Sequence, residues 1–346
     1  MVAFAGFAGV GRGETTTPAP AAPRERVQSG SMTIELPAGL QAGSAYVPDE
    51  NPMAAEKVTL GRLLYFDKRL SKDDTVSCAT CHDPSHAWAE PRKTSIGVGG
   101  KVGARNAPTV INRLFSKEQF WDGRGADLED QAKGPLVNPI EMAMPSHAAV
   151  VEKVRAIPGY PPLFTSAFGT PVVTIDRIGQ AIAAFERTVV AGNSSYDRYQ
   201  AGDKAAMNAS AVRGMAVFNG KGNCVTCHAG FNFTDESFHN LGVGMHAKSP
   251  DAGRVKVSNA KSETGAFKTP TLRNVAQSAP YMHDGSEATL VDVVAYYDRG
   301  GNPNPYIAKE MRKLDLTDGE RQDLVAFLEA LSGDVTPVEV PTAFPR

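Results

Sequence analysis

Apolar residues recur at spacings of three and four in four stretches of the chain, which predicts four amphipathic helices. The stretches are residues 60–66, 175–189, 212–218 and 324–331. Thr174 can cap the second helix, and Thr317 with Glu320 forms a capping box just before the fourth. Few stretches alternate between apolar and polar residues as strands do, so the pattern predicts a mainly α fold.

Two parts of the chain show the same order of features. Each has a helix, then a Cys-x-x-Cys-His string, then loops and a closing helix. Residues 78–82 read Cys-Ala-Thr-Cys-His, and residues 224–228 read Cys-Val-Thr-Cys-His. This order is that of a small cytochrome c domain, so the sequence predicts two such domains related by a pseudo-twofold axis. The predicted divisions are a flexible leader over 1–45, an N-terminal domain over 46–200, a C-terminal domain over 201–333 and a tail over 334–346.

Every cysteine of the chain lies in these two strings, at Cys78, Cys81, Cys224 and Cys227. The pattern is the attachment signal for c-type haem, in which the thiols bind the vinyl groups covalently and the histidine binds the iron. His82 and His228 are therefore the predicted proximal ligands of two covalent haem c groups. A disulfide or a zinc site is the alternative, but zinc usually takes further ligands from nearby positions, and each pair has a single adjacent histidine.

The composition limits the classes of partner that the protein can bind, and the haem signals indicate its cellular compartment. The 346 residues include 36 basic and 38 acidic side chains, a formal charge of −2, which argues against nucleic acid or an anionic membrane as partner. No apolar run is long enough for a membrane span. The apolar stretch Met1–Val10 could be the remnant of a signal peptide, although it lacks a basic start, or residues added for expression. Because c-type haem is attached outside the bacterial cytoplasm, we predict a periplasmic enzyme.

Six further segments resemble the bacterial dihaem cytochrome c peroxidase and MauG superfamily. They are Ser-Ile-Gly-x-Gly at 95–99, Gly-Ala-Arg-Asn-Ala-Pro-Thr at 103–109, Phe-Trp-Asp-Gly-Arg at 120–124, Glu-Asp-Gln-Ala-Lys-Gly-Pro at 129–135, Phe-Lys-Thr-Pro-Thr-Leu-Arg-Asn at 267–274 and Pro-Tyr-Met-His-Asp-Gly at 280–285. The resemblance extends from about Pro52 to Gly333. It implies an oxidoreductase that uses hydrogen peroxide as its electron acceptor.

The resemblance also implies roles at the first haem, which we call haem 1. The peroxide site would lie on the haem attached at His82. Glu141 matches the family's distal acid–base carboxylate, and Gln131 matches the glutamine that helps to order water there. Trp121 matches the tryptophan between the haems, which passes electrons.

A calcium ion between the haems is implied as well. Asn106 and the backbone carbonyls of Ser278 and Pro280 match its ligands, and oxygen ligands suit this hard cation. Serine at 278 replaces the threonine more usual in the family. Because the ligand there is a carbonyl, we expect the change to matter little.

Two positions depart from the peroxidase pattern. Peroxidases carry a histidine at the place of Val98, and it caps haem 1 until reduction releases it. Valine offers no lone pair, so haem 1 should be open as isolated. Peroxidases also place a methionine on the second haem, haem 2, where this chain has Tyr297, the ligand of MauG-type proteins. The other side chains that remain open as its sixth ligand are Tyr296, Met282, Met311, His239, His246 and His283.

These features favour a MauG-like, peroxide-dependent oxidase. It would store two oxidising equivalents as a bis-Fe(IV) state and oxidise a periplasmic protein partner, by analogy at tryptophan. MauG has a surface tryptophan just before the second haem string as the exit for oxidising equivalents, but residues 220–223 here contain no aromatic. The only other tryptophan besides Trp121 is Trp88, which we expect, like His86, to serve packing and hydrogen bonding.

Two other functions remain open at this stage. The chain could be a cytochrome c peroxidase that reduces hydrogen peroxide to water with electrons from a small cytochrome c or a cupredoxin. It could also be an electron carrier without turnover, which Glu141 and Gln131 argue against. A methionine-ligated, readily reduced haem 2 would favour the peroxidase, and a ferric protein inert to peroxide would favour the carrier.

Overall fold

The computed structural model describes residues 24–346, which form helices joined by long loops, with only short strands. The helices are α1 Ala55–Phe66, α2 Cys78–Cys81, α3 Leu128–Val137, α4 His147–Arg155, α5 Tyr160–Phe168, α6 Ile175–Glu186, α7 Ser195–Gln200, α8 Ala209–Asn219, α9 Val255–Ser258, α10 Leu290–Asp298 and α11 Asp318–Glu329. The strands are β1 Arg26–Ser29, β2 Met32–Glu35, β3 Ala191–Gly192, β4 Phe238–His239, β5 Phe267–Lys268 and β6 Asp334–Val335. The apolar stretch Met1–Val10 lies outside the described residues.

The mainly α fold is confirmed, and the four predicted amphipathic helices correspond to α1, α6, α8 and α11. Thr174 accepts a hydrogen bond from the amide of Arg177, and Thr317 with Glu320 forms the predicted capping box. The helix predicted to run to residue 189 ends at Glu186. No helix within residues 24–346 is both long and apolar enough to cross a membrane.

Two separate hydrophobic cores correspond to the two halves of the chain. In the first, α1 packs against α6, with α3, α4 and α5 around them. In the second, α8 packs against α11, with α10 beside them. Each Cys-x-x-Cys-His string follows the first helix of its core, so the two halves place their strings in equivalent positions.

A glycine lies at each of the two central helix crossings. A Cβ atom at Gly61 of α1 would lie 1.8 Å from the carbonyl oxygen of Ala181 in α6. A Cβ atom at Gly214 of α8 would lie 1.8 Å from the carbonyl oxygen of Asp323 in α11. No side chain fits at such a distance, so both crossings need glycine. The same close crossing in each half supports the internal repeat.

We expect Gly214→Ala to destabilise the C-terminal core by about 1–3 kcal/mol, because α8 and α11 must separate to admit the methyl group. The measurement is the free energy of unfolding in urea of the haem-containing protein. Gly319→Ala is the matched control, since a Cβ atom there, on α11, would contact nothing within 4 Å. Equal free energies of unfolding for Gly214→Ala and Gly319→Ala would contradict the close crossing of α8 and α11.

Residues 1–45 were predicted to form a flexible leader, but the described part of this region, from residue 24 onwards, contains regular structure. There β1 pairs with β2 in a hairpin that places Val27 opposite Ile34. Both side chains are buried in a third apolar cluster, together with Leu114 and Val190. The Pro- and Thr-rich composition of the region hid this short apolar segment, and packing on the first half stabilises a hairpin that would be marginal alone.

The C-terminal tail, residues 334–346, packs on the first half of the chain. Its strand β6 pairs antiparallel with β3, and Val338 and Phe344 pack against the first core. Arg62 of α1 forms an ion pair with Glu339 at 3.2 Å. The end of the chain therefore ties the two halves together.

Candidate functional site

The two histidines of the strings are held in the same way. His82 Nδ1 lies 2.9 Å from the carbonyl oxygen of Pro108, and His228 Nδ1 lies 2.9 Å from that of Phe233. A carbonyl only accepts hydrogen bonds, so Nδ1 carries the proton in both rings and Nε2 keeps a free lone pair. Burial lowers the pKa of both imidazoles, which favours the neutral form that binds iron.

No disulfide joins the four cysteines, so all four sulfurs can bond to the vinyl carbons of haem. Burial raises the pKa of Cys227 to about 11 and that of Cys224 to about 12, so both are protonated at neutral pH. Two neutral thiols beside one oriented neutral histidine form the donor set that c-type haem attachment requires. The residues present therefore fit the cofactor.

A large cavity lined mostly by apolar side chains surrounds the second string. Cys224, Cys227 and His228 line it, and it extends towards the other half of the chain as far as Trp121 and Asn106. An apolar cavity of this kind suits a flat macrocycle with a mostly hydrocarbon surface. The same cavity therefore contains the second haem site and the region predicted to lie between the haems.

Tyr297 and Tyr296, both on α10, differ in what their hydroxyl groups contact. The Tyr296 hydroxyl donates to the carbonyl oxygen of Leu241 at 2.9 Å, and its ring is buried outside the cavity. Tyr297 lines the cavity with His228, and its hydroxyl has no hydrogen-bond partner among residues 24–346. Burial, with the Cys224 and Cys227 sulfurs nearby, raises the pKa of Tyr297 well above its usual value.

Four of the other side chains considered as ligands also line this cavity, namely Met282, Met311, His239 and His283. His239 Nε2 is already bonded to Asp235 Oδ2 at 2.8 Å, and the His283 ring stacks on Phe267 with centroids 3.6 Å apart. His246 is not part of the cavity lining. The two methionines therefore remain the main alternatives to Tyr297 within the cavity.

Glu141 lies in a separate, more polar cleft in the first half, lined also by Phe120, Arg124, Pro135 and Asn138. Asn138 Nδ2 donates to Glu141 Oε1 at 2.8 Å, which orients the carboxylate. Burial raises the pKa of Glu141, while the Arg124 charge and the Asn138 hydrogen bond oppose this shift. A carboxylate with a raised pKa beside an open cleft is suited to proton transfer near neutral pH.

The loop that contains Val98 lies directly on Glu141. The amide of Val98 donates to the carbonyl oxygen of Glu141 at 2.9 Å, and the valine side chain is buried. A Cβ atom at Gly97 would lie 1.9 Å from the carbonyl oxygen of Ile140, so the close approach requires glycine. Burial, with Glu90 and Glu141 among the nearby charges, raises the pKa of Cys81 to about 11, which places Glu141 near the first string.

The two other residues predicted to act with Glu141 do not line the cleft that contains it. Gln131 is partly buried on α3, but it does not line the cleft that contains Glu141. Trp121 lies where the two halves meet, because its carbonyl accepts from the Lys268 amide at 2.8 Å. Its indole Nε1 donates to the carbonyl oxygen of Asn106 at 2.8 Å. The roles of both residues stay predictions.

The three predicted calcium ligands line the same cavity as Trp121. Asn106 Nδ2 donates to the carbonyls of Glu90 and Arg92, at 3.3 and 2.9 Å, which leaves Oδ1 free. Within residues 24–346, neither this oxygen nor the carbonyl oxygens of Ser278 and Pro280 accept a hydrogen bond. Three free oxygen acceptors on one cavity wall match the chemistry of a calcium site.

His86 and Trp88 have the packing and hydrogen-bonding roles predicted for them. His86 Nε2 forms a hydrogen bond with the carbonyl oxygen of Ala279, which joins the first string to the segment between Ser278 and Pro280. Trp88 is 3% exposed, and its ring lies 5.7 Å from that of Tyr65.

Several residues of the site were not identified from the sequence. Asn138 is the one with a local signal, because it precedes Glu141 by three residues in a turn and the spacing favours their hydrogen bond. Pro108 and Phe233 contribute only backbone oxygens, which no residue pattern reveals. Arg124 reaches the cleft through the tertiary fold.

Comparisons with known proteins agree with this geometry. The family described as di-haem cytochrome c peroxidase matches residues 55–205, and the cytochrome c family matches residues 211–332. The chain is 41% identical to the methylamine utilization protein MauG of Methylorubrum extorquens, over 85% of this chain and 83% of that protein. It is 40% identical to the cytochrome c551 peroxidase of Nitrosomonas europaea, over 84% of each.

A solved structure shows the same fold. The crystal structure of a MauG-like protein associated with microbial copper homeostasis matches with a TM-score of 0.76 and 34% identity. The match covers 84% of this chain and 93% of that one.

Proposed function

The chain belongs to the dihaem cytochrome c peroxidase and MauG family, and from this premise we propose that it is a MauG-like, peroxide-dependent oxidase. Membership makes it a peroxidase-class oxidoreductase with two cytochrome c-type domains and two haem c groups. The finer proposal is that hydrogen peroxide withdraws two electrons from the protein. With haem bound at His82 and His228, the two oxidising equivalents would be held there until a protein partner supplies two electrons, at tryptophan by analogy with MauG.

The observation that carries this proposal is the free hydroxyl of Tyr297 in the cavity around His228. A phenolate is a hard anionic ligand that favours oxidised iron, whereas a methionine thioether favours ferrous iron. Tyr297 would therefore make the bound haem 2 a poor acceptor of electrons from a small cytochrome and a good place to store an oxidising equivalent. Tyr296 is unsuited because its hydroxyl is bonded to Leu241.

The residues of the first half handle protons. Bound haem iron supplies the redox chemistry at His82. Glu141 takes a proton from the incoming peroxide and returns it to the departing oxygen, which leaves as water. Asn138 keeps the carboxylate oriented through its 2.8 Å hydrogen bond. The ordering of water by Gln131, which the family resemblance implies, stays a prediction, because that side chain does not line the Glu141 cleft. Trp121 carries electrons between the two haem sites.

The partner and the compartment follow from the same proposal. Two electrons must come from the partner for each peroxide reduced to two waters, together with two protons. We assign the enzyme to the periplasm because c-type haem is attached outside the cytoplasm. The missing aromatic at residues 220–223 implies an electron exit other than the surface tryptophan of MauG.

A second candidate function is that of a cytochrome c peroxidase, which takes its electrons from a small cytochrome c or a cupredoxin. Two observations favour it. Met282 and Met311 line the same cavity as Tyr297 and could supply a thioether ligand. The identity to a cytochrome c551 peroxidase, 40%, is also close to the 41% identity to MauG. A readily reduced haem 2 would favour this function.

Val98→His tests whether the open coordination site of haem 1 belongs to the function. Because residue 98 lies over Glu141, a histidine there can reach haem 1 as it does in the peroxidases. We expect the ferric wild type to react with peroxide at once, and the variant to react only after reduction of one haem. Stopped-flow absorbance measures both, with Val98→Ile as the control that adds volume but no lone pair. A wild type that needs prior reduction would contradict the proposal.

We also propose a calcium ion bound by Asn106 Oδ1 and the carbonyl oxygens of Ser278 and Pro280. The ion would join the two halves beside Trp121. Chelation should therefore slow electron transfer between the haems and be reversed by added calcium but not by magnesium, which demands a tighter octahedral geometry. Asn106→Ala should weaken binding by isothermal titration. No calcium in the isolated protein and no effect of chelation would contradict the assignment.

A further inference from the structure

Arg113 is a charged side chain that the proposed function leaves unused. It begins a short helical turn, Arg113–Phe115, five residues after Pro108, whose carbonyl orients His82. Its Nε atom is fully buried and has no hydrogen-bond partner. Within residues 24–346, no carboxylate lies within 4 Å of its guanidinium, and no other side-chain or backbone oxygen accepts from it.

A buried guanidinium without partners is costly. The Nε–H of Arg113 loses its bond to water on burial, and a guanidinium charge in such a place is destabilised unless an anion lies close by. The fork of donors on one edge of the group matches the two oxygens of a carboxylate. The arrangement therefore suits a carboxylate that is not part of the polypeptide.

The position of Arg113 indicates where that carboxylate belongs. The turn that Arg113 begins leads to Ser116, whose amide donates to the carbonyl oxygen of Arg113 at 3.1 Å and whose hydroxyl oxygen accepts from Lys268 Nζ. Lys268 belongs to the second half, and its amide donates to the carbonyl of Trp121 at 2.8 Å. Arg113 thus lies between the first haem string and the junction of the two halves.

The charges around Arg113 leave one cation in excess. Lys268 Nζ is paired with Glu236 Oε2 at 2.5 Å, which neutralises that pair. Glu186 is 5% exposed, its carboxyl group has no hydrogen-bond or ion-pair partner among the described residues, and burial raises its pKa to about 8. The raised pKa favours its neutral form. The neighbouring acids are paired with other arginines, Glu118 with Arg254 and Glu129 with Arg187.

We propose that Arg113 binds a propionate carboxylate of haem 1 and thereby fixes that haem beside the junction of the two halves. The two propionates are the only ionised groups on haem c apart from its iron, and the charge of one of them balances the excess cation. Arg113 acts here as a positioning residue, since it holds the edge of the haem and not the reacting atoms. The inference rests on the two haem c groups but not on the ligand of haem 2, so it can fail independently of the proposed function.

The test compares Arg113→Gln and Arg113→Lys with the wild type, all as haem-containing proteins. Arg26→Gln is the control, because Arg26 forms an exposed pair with Glu35 on the hairpin. Resonance Raman spectra of the ferric proteins report the propionate bending modes, and spectroelectrochemistry reports the reduction of each haem. Neither readout depends on turnover with a partner.

Loss of a cation beside haem 1 should favour its ferric state. At the potential where wild-type haem 1 is half reduced, the ferrous-to-ferric ratio of Arg113→Gln should be about tenfold lower, which corresponds to about 59 mV. Arg113→Lys should retain most of the potential, because it keeps the charge. It should still shift the propionate mode, because it loses the two-pronged contact. The control should change neither.

Unchanged propionate modes and an unchanged haem 1 potential in Arg113→Gln would overturn the proposal. Changes confined to haem 2 would overturn the assignment to haem 1. If Arg113→Gln does not incorporate haem, Arg113→Lys provides the test. A propionate bending mode in Arg113→Lys at the wild-type frequency would contradict the proposal.

Discussion

Glu141→Gln should lower the rate constant for the reaction of the ferric protein with hydrogen peroxide by about 10²–10⁴-fold. Glutamine keeps the size of the side chain and can still bond to Asn138, but it cannot take a proton from peroxide. The measurement is stopped-flow absorbance with peroxide in excess. Glu152→Gln is the matched control, since that carboxylate is exposed on α4 and paired only with Arg155.

The pH dependence of the same rate gives a second readout. Glu141 must be ionised to act as a base, and burial raises its pKa above the usual glutamate value. The rate constant should therefore be highest at high pH and fall as the pH drops through this raised pKa. The fall should be absent in Glu141→Gln. A variant that reacts within threefold of the wild type, with the same pH profile, would exclude Glu141 as the base.

Tyr297→Met should convert haem 2 from a haem that resists reduction into one that is readily reduced. The thioether stabilises ferrous iron, whereas the phenolate stabilises the oxidised states. Ascorbate or a small cytochrome c should then reduce haem 2, and the protein should no longer keep the second oxidising equivalent after peroxide is added. Spectroelectrochemistry and optical spectra of the ferrous protein report both changes.

Tyr296→Phe is the control for the exchange at 297. It removes the hydrogen bond to Leu241 and should lower the free energy of unfolding by about 0.5–1.5 kcal/mol. The potential of haem 2 should stay unchanged, because this side chain does not line the cavity. If the potential of haem 2 shifts in Tyr296→Phe but not in Tyr297→Met, then Tyr296 is the ligand.

The sequence predicts the haem attachment sites and the main helices because their signals are local. The Cys-x-x-Cys-His strings need only neighbouring residues, and the capping box at Thr317 lies within one turn of α11. Helical periodicity likewise predicted α1, α6, α8 and α11. The hairpin formed by β1 and β2 escaped prediction because its stability comes from packing on distant residues such as Leu114.

The contacts that distinguish similar side chains could not be predicted. Tyr296 and Tyr297 are adjacent in sequence, and only the rotation of α10 against Leu241 separates their surroundings. Arg113 looks like a surface residue in the sequence, since nothing near it along the chain shows that its Nε atom is buried. The position of Gln131 outside the Glu141 cleft likewise depends on how α3 packs.

The most direct test of the proposed function is to add one equivalent of hydrogen peroxide to the as-isolated diferric protein and record Mössbauer spectra of the ⁵⁷Fe-enriched sample. An open haem 1 and a Tyr297-ligated haem 2 should give two Fe(IV) signals of equal intensity, without prior reduction. One oxidised iron, or no reaction until a haem is reduced, would contradict storage of both equivalents on the haems and favour the peroxidase.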